Sequence, residues 1–189
     1  LVGSEMCIRD SFTSEYTGIT TPGESTVNTD ENRVKVYDDL KALDLTSDAV
    51  LPKDISVSYK GIDHVFTGNE LIDDVRAEMV DTPDDEYESA LCYGKTSSTV
   101  DNIIIFDFWL NSDHTLHKIR MSFTTESDCS IFGITKNSTP EEMAAILGTP
   151  EVSDRNGKDQ FLDWKSDSMS VNAYYYDGVL QSIQAYFES

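Results

Sequence analysis

The side chains best able to do chemistry are few. His114 and His117 stand three residues apart, where a turn leads into an extended segment. Strand residues at that spacing face opposite ways, and no third ligand stands at suitable spacing, so the pair reads as surface histidines rather than a metal site. Cys92 and Cys129 could form a disulfide in an oxidising compartment, closing a loop worth roughly 4 kcal/mol on chain-entropy grounds. The alternative is two buried or free thiols. Neither cysteine neighbours a histidine in sequence, so a Cys–His nucleophile is not indicated. Asp81, Asp84, Asp85, Glu86 and Glu88 crowd around Pro83 without the alternation and central glycine of a calcium loop. They read as a solvated acidic loop, with a weak, adventitious calcium site as the alternative. The sequence holds no phosphate-cradling glycine motif and no Gly-x-Ser-x-Gly. We expect no catalytic residue, no cofactor and no metal.

What the sequence does offer is a surface. In the last two extended segments, period-two alternation puts Met169, Val171, Ala173, Tyr175, Ile183, Ala185 and Phe187 on one face. The other face carries Tyr174, Tyr176 and Tyr186 among Ser170, Asn172, Ser182 and Gln184. Upstream, Ile104, Phe106, Phe108 and Leu110 point inward with Ile119, Met121 and Phe123, while Trp109, Lys118 and Arg120 point outward. Aromatics among small polar residues and cations have the composition of a recognition patch. A second packing face, buried by another part of the chain, is the competing reading.

The elements that must position these residues follow from local signals. Thr139-Pro140-Glu141-Glu142 predicts a helix start with a capping box, with Met143, Ile146 and Leu147 on one side and Gly148 ending it. Strands are expected over 160–165, 168–176 and 180–187, with Asp177-Gly178 as a hairpin turn. Earlier, Asn69 is placed to cap a helix carrying Leu71, Ile72, Val75 and Met79, followed by strands over 89–93, 102–110 and 115–124. Residues 33–45 suggest a further short helix with Val36, Leu40 and Leu43 on one side. Leu116, Ile119 and Phe123 repeat as Leu180, Ile183 and Phe187 at an offset of 64. Together with the matching order of elements, this suggests an internal duplication. The expected fold class is therefore α+β: two tandem units over 33–126 and 127–189, each a helix packed on an antiparallel sheet of about three to four strands.

The chain has 189 residues, 35 acidic and 14 basic, for a net charge of -21. That balance argues against a nucleic-acid partner. No stretch approaches the ~20 apolar residues of a spanning helix, so no transmembrane segment is expected. Residues 1–10, LVGSEMCIRD, resemble a translated sequencing-adapter read, which would make Cys7 foreign to the natural protein and leave the natural N-terminus missing. Residues 11–32 are rich in Ser and Thr without apolar period and read as a flexible tether or an ordinary disordered N-terminus.

Gly133, Ser138-Thr139-Pro140-Glu141-Glu142, Leu147-Gly148-Thr149-Pro150, Ser153-Asp154, Gly157, Phe161, Trp164 and Asp177-Gly178 stand in an order that resembles the BamE/SmpA lipoprotein family. That family shares its fold with the β-lactamase inhibitory protein. The resemblance covers residues 131–187. Residues 50–189 also look like uncharacterised lipoproteins of Gram-positive gut bacteria. The first unit lacks the Leu-Gly-x-Pro turn and has no Pro at its helix start. The resemblance implies a tandem α+β lipoprotein at the cell surface or secreted, with a lipid anchor upstream of the known sequence. The function expected on this basis is an extracytoplasmic, surface-tethered binding module without catalytic activity, whose partner is a protein or cell-envelope component. The alternative is a hydrolase or other enzyme using paired carboxylates, which would need a cleft holding two acids, at least one with a raised pKa.

Overall fold

The computed structural model describes residues 24–26, 35–79, 81–94, 96–97, 102–103, 105–123 and 129–188. In chain order the elements are β1 (Glu24–Thr26), β2 (Lys35–Tyr37), a single 3-10 turn (Leu40–Ala42), β3 (Ile55–Tyr59), β4 (Ile62–Phe66), α1 (Ile72–Met79), β5 (Asp85–Tyr87), β6 (Ala90–Tyr93), β7 (Thr96–Ser97), β8 (Asn102–Ile103), β9 (Phe106–Leu110) and β10 (Leu116–Ser122). Then come β11 (Ser130–Ile131), α2 (Pro140–Leu147), β12 (Glu151–Asp154), β13 (Asp159–Lys165), β14 (Met169–Tyr176) and β15 (Val179–Phe187).

Eight strands form one antiparallel sheet in the order β12-β13-β14-β15-β10-β9-β6-β5, and β11-β3-β4 form a second sheet of three. β1 pairs with β2, and β7 with β8. Two hairpins rest on turn residues with positive φ: Lys60-Gly61 between β3 and β4, and Asp177-Gly178 between β14 and β15. That geometry matches the right-handed twist of the paired strands. The inner face of the large sheet packs on α1, α2 and the small sheet. Phe106, Phe108, Ile119, Met121, Leu162, Val171 and Tyr175 meet Val75, Met79, Met143, Leu147, Ile55, Phe66 and Ile131 in one core.

This corrects the expected fold class. The described residues are mostly strand, the two α-helices have eight residues each, and one eight-stranded sheet takes strands from both expected units in place of a separate sheet under each helix. Each expected unit would have left a strand edge with unpaired N–H and C=O groups. Those edges, β10 and β15, instead pair with one another and make a single sheet. The short helix expected over 33–45 is likewise absent: Lys35–Tyr37 is a strand, and Asp39 caps only the 3-10 turn by accepting from the Lys41 N–H at 2.9 Å. Buried Gln160 holds this segment across the end of the sheet, its Oε1 accepting from Leu40 N–H at 2.8 Å and its Nε2 donating to the Asp38 carbonyl at 3.1 Å.

The helices form largely for the reasons anticipated. Thr139 and Glu142 complete the capping box of α2, and Gly148 follows it at φ 97. Met143 and Leu147 are buried, joined by Ala144, while Ile146 is 37% exposed. At α1 the N-terminal donor of Leu71 is satisfied by Asp74 at 3.0 Å rather than by Asn69. The readings of residues 1–10 and of 11–32, apart from 24–26, lie outside the described residues, as does the inward placement of Ile104.

Candidate functional site: the outer face of the large sheet

Antiparallel pairing stacks outward side chains into rows across the strands. One row spans all eight: Asp85, Cys92, Asp107, Arg120, Gln184, Asn172, Asp163 and Glu151. Asp107 is only 2% exposed, and Arg120 holds it, Nε donating to Oδ2 at 2.6 Å with a second contact from Nη2. Burial raises the Cys92 thiol to about 12, and a hydrogen bond to Asp107 adds to the effect. Asp163 accepts from Asn172 Nδ2 at 2.6 Å and from Ser153 Oγ at 3.2 Å.

The neighbouring row runs Trp109, Lys118, Tyr186, Ser170 and Lys165. Lys118 Nζ lies 4.5 Å from the Trp109 ring centroid and 5.6 Å from that of Tyr186. Its pKa is lowered, first by burial and then by the charge of Arg120. The Tyr186 hydroxyl donates to Gln184 Oε1 at 2.7 Å. A register shift between Leu116 and Lys118 makes His117 an extra residue there, and its ring meets Tyr186 edge-on at 5.8 Å.

A third row, Ser182, Tyr174, Phe161 and Ser153, carries a separate aromatic group. Tyr174 stacks on Phe161 at 5.1 Å, with the Arg155 guanidinium 4.8 Å from the Phe161 ring. The Tyr174 hydroxyl donates to Asp159 at 2.6 Å, which lowers the pKa of that carboxyl. An open cleft of about 500 Å³ lies over β12 to β15, between Arg155 and Phe161 on one side and Gln184 and Tyr186 on the other.

All six residues expected on this surface, Trp109, Lys118, Arg120, Tyr174, Tyr176 and Tyr186, stand off the core, at least partly exposed. They are not one cluster. Tyr174 pairs with Ser182 and Tyr186 with Ser170, four residues apart along the strands or roughly 13 Å. Tyr176, 46% exposed, stands at the hairpin end. Gln184, expected on this face, is joined there by Phe161, Arg155 and Asp107, which sequence reasoning had not assigned to it. Phe161 was legible, because its neighbours Gln160 and Leu162 alternate with it into the interior.

No disulfide joins Cys92 to Cys129. Cys92 faces outward with Asp107, whereas Cys129 belongs to the inner core beside β11. The acid run is not a solvated loop throughout: Asp81 pairs with Lys60, Glu86 with Arg76, and Asp84 accepts from the Gly94 N–H at 2.7 Å. No group of three metal-ligating side chains occurs among the described residues. On the inner side, buried His64 places Nδ1 3.3 Å from Glu78, and its Nε2 and the Tyr93 hydroxyl have no protein partner among the described residues. All five described carboxylates with a clear pKa shift, Asp44, Glu70, Asp81, Asp113 and Asp159, are lowered. No helix among the described residues is long and apolar enough to cross a membrane. Comparison of the chain with protein-family models, with curated proteins and with solved structures finds no match.

Proposed function

We propose that the protein is a binding module that works outside the cytoplasm and engages a protein or cell-envelope partner through the outer face of its large sheet. One observation carries this reading: the inner face is consumed by the core, while the outer face sets partly exposed rings and cations in ordered rows. Trp109, Tyr186, Tyr174 and Phe161 supply rigid contact area at small cost in side-chain entropy. Asn172, Gln184 and Asp163 supply directional polar contacts between them. The Ser/Thr-rich segment before residue 32 and the resemblance of residues 131–187 to envelope lipoproteins support the compartment.

A photo-activatable cross-linker tests the face. Placed at Tyr186 in the source cells, it should yield a discrete adduct, and placed at Val50, which is 83% exposed and off this face, it should yield none. Equal labelling from both positions, or none from Tyr186, overturns the binding surface. Protease added to intact cells should degrade the protein; full protection, with recovery from cytoplasm alone, overturns the compartment.

A further inference from the structure

We infer that Lys118, Arg120 and Gln184 form a receptor for a carboxylate side chain of a partner protein, with Trp109 and Tyr186 contacting the apolar residues beside it. This inference rests on the outer-face reading and gives it a chemistry.

Carboxylates outnumber cations 35 to 14 in this chain, yet Lys118 has no carboxylate within ion-pair distance among the described residues. Asp107, the acid in the adjoining row, is already held by Arg120. Lys118 is half-buried, so it has given up part of its hydration without gaining an ion pair. Two aromatic rings hold its ammonium in place and add no net charge. A second cation, Arg120, stands two residues along the same face of β10, roughly 7 Å away. Asp107 already neutralises Arg120 and draws on Lys118 as well, so Arg120 contributes the N–H donors that Asp107 leaves over, while Lys118 carries the charge left without an ion pair. Gln184 lies directly across from Arg120, and with its Oε1 taken by Tyr186, its Nε2 has no acceptor among the described residues. Ammonium, guanidinium and amide donors thus stand at neighbouring outward positions of two paired strands, and a carboxylate with about four lone-pair sites has the capacity to accept from all three.

The net charge selects the kind of anion. A polyanion such as nucleic acid or an anionic bilayer meets the repulsion of the whole molecule, at -21. A single carboxylate on an otherwise uncharged segment meets mainly Lys118, Arg120 and Asp107, which together are positive, because more distant charges are screened beyond about 8–10 Å at ordinary ionic strength. The open sheet with Trp109 37% exposed suits a protein surface presenting an acid next to an apolar residue.

The test is a pair of capped peptides, acetyl-Leu-Glu-Phe-amide and acetyl-Leu-Gln-Phe-amide, titrated into the labelled full chain and followed by NMR at the Trp109 indole and at Arg120 and Gln184. The Glu peptide should produce saturable shifts there and bind at least about tenfold more tightly than the Gln peptide. Added salt should weaken it, and Lys118→Gln should abolish the difference between the peptides while spectral dispersion is retained. Equal binding of the two peptides, or a difference that survives Lys118→Gln, overturns the carboxylate receptor and leaves the face as a binding surface. Stronger responses to inorganic phosphate or to phosphatidylglycerol vesicles also overturn it. No response to either peptide overturns it too, and the Tyr186 cross-linking result then decides independently whether the face binds at all.

Discussion

Arg120 on β10 and Gln184 on β15 stand directly opposite one another in the sheet, and they are also 64 residues apart, the offset at which Leu116, Ile119 and Phe123 repeat as Leu180, Ile183 and Phe187. Ile119 faces Ala185 and Met121 faces Ile183 on either side of that pair. The two strands that carry the repeated signature thus meet about the Arg120–Gln184 pair. The guanidinium and the amide proposed to hold a partner's carboxylate therefore stand on the two strands that carry the repeated apolar spacing.

Lys118→Met should leave stability unchanged or raise it by a few tenths of a kcal/mol, because a partly exposed cation without an ion pair contributes little to the fold. The sign of the pH dependence follows from its lowered pKa. Near the ordinary lysine value, about 10.4, the folded chain binds fewer protons than the unfolded one at this site, so wild-type stability should gain as pH rises into that window. The gain should be missing in the variant. Urea midpoints across the alkaline range measure both, and a loss above about 1 kcal/mol in Lys118→Met would show that the lysine is structural.

Arg120→Gln should cost roughly 2–4 kcal/mol, since it strands the buried Asp107 carboxylate. The value sits toward the lower part of the range for buried pairs because the Arg120 side chain is 38% exposed. Adding Asp107→Asn should recover most of the loss by removing the charge. Denaturant unfolding of both single variants and the double variant completes the cycle, and a double variant as unstable as Arg120→Gln would contradict the burial argument.

Gly148→Ala should cost about 2 kcal/mol or more. The backbone there has φ 97, and an added Cβ would lie 2.6 Å from the Ala49 carbonyl oxygen. Trp164 Nε1 also donates to the Gly148 carbonyl at 2.7 Å, so a shift of the turn disturbs a buried hydrogen bond as well. Thermal unfolding compared with the same change at Gly133, where nothing lies within 4 Å of the added carbon, separates the steric part from the backbone part. Equal losses at both sites would remove the clash.

Glu70 gives a stability change on the acid side. Burial would raise its pKa, but the Thr67 N–H and hydroxyl and the Gly68 N–H, each at 2.8 Å, more than offset this, and the pKa falls. A depressed carboxyl stabilises the fold above its unfolded value, about 4.3, and that contribution is lost as pH drops through the folded one. Glu70→Gln should therefore cost about 0.5–1 kcal/mol at pH 7, after allowance for solvent screening, and nearly nothing well below pH 4. A pH-independent difference would mean that the charge is irrelevant.

The local elements were legible because their signals are local. The capping box at Thr139–Glu142 and the Asp177-Gly178 turn need only a few neighbours, and alternation sorted the two faces of β14 and β15 correctly. The β3–β4 hairpin was legible but unread: Ile55, Val57 and Tyr59 alternate ahead of Lys60-Gly61. The joining of β10 to β15 was not legible, since pairing between strands so far apart depends on where the rest of the chain leaves their edges. For the same reason the six outward residues could be assigned a face, but not their division into a Lys118 group and a Tyr174 group, which depends on register across strands.

The position of β15 at the middle of the sheet has a consequence for how the molecule assembles. β10 is made some sixty residues before the strand that covers its edge. Until residues 179–187 leave the ribosome, the first half presents Leu116–Ser122 as an open strand edge, which invites pairing with other chains. Closing the sheet also requires a long-range contact that forms slowly relative to the local hairpins. Folding should thus wait on the last strand and complete in one late step, and a nascent chain halted before β15 should aggregate rather than persist as a half-sized domain.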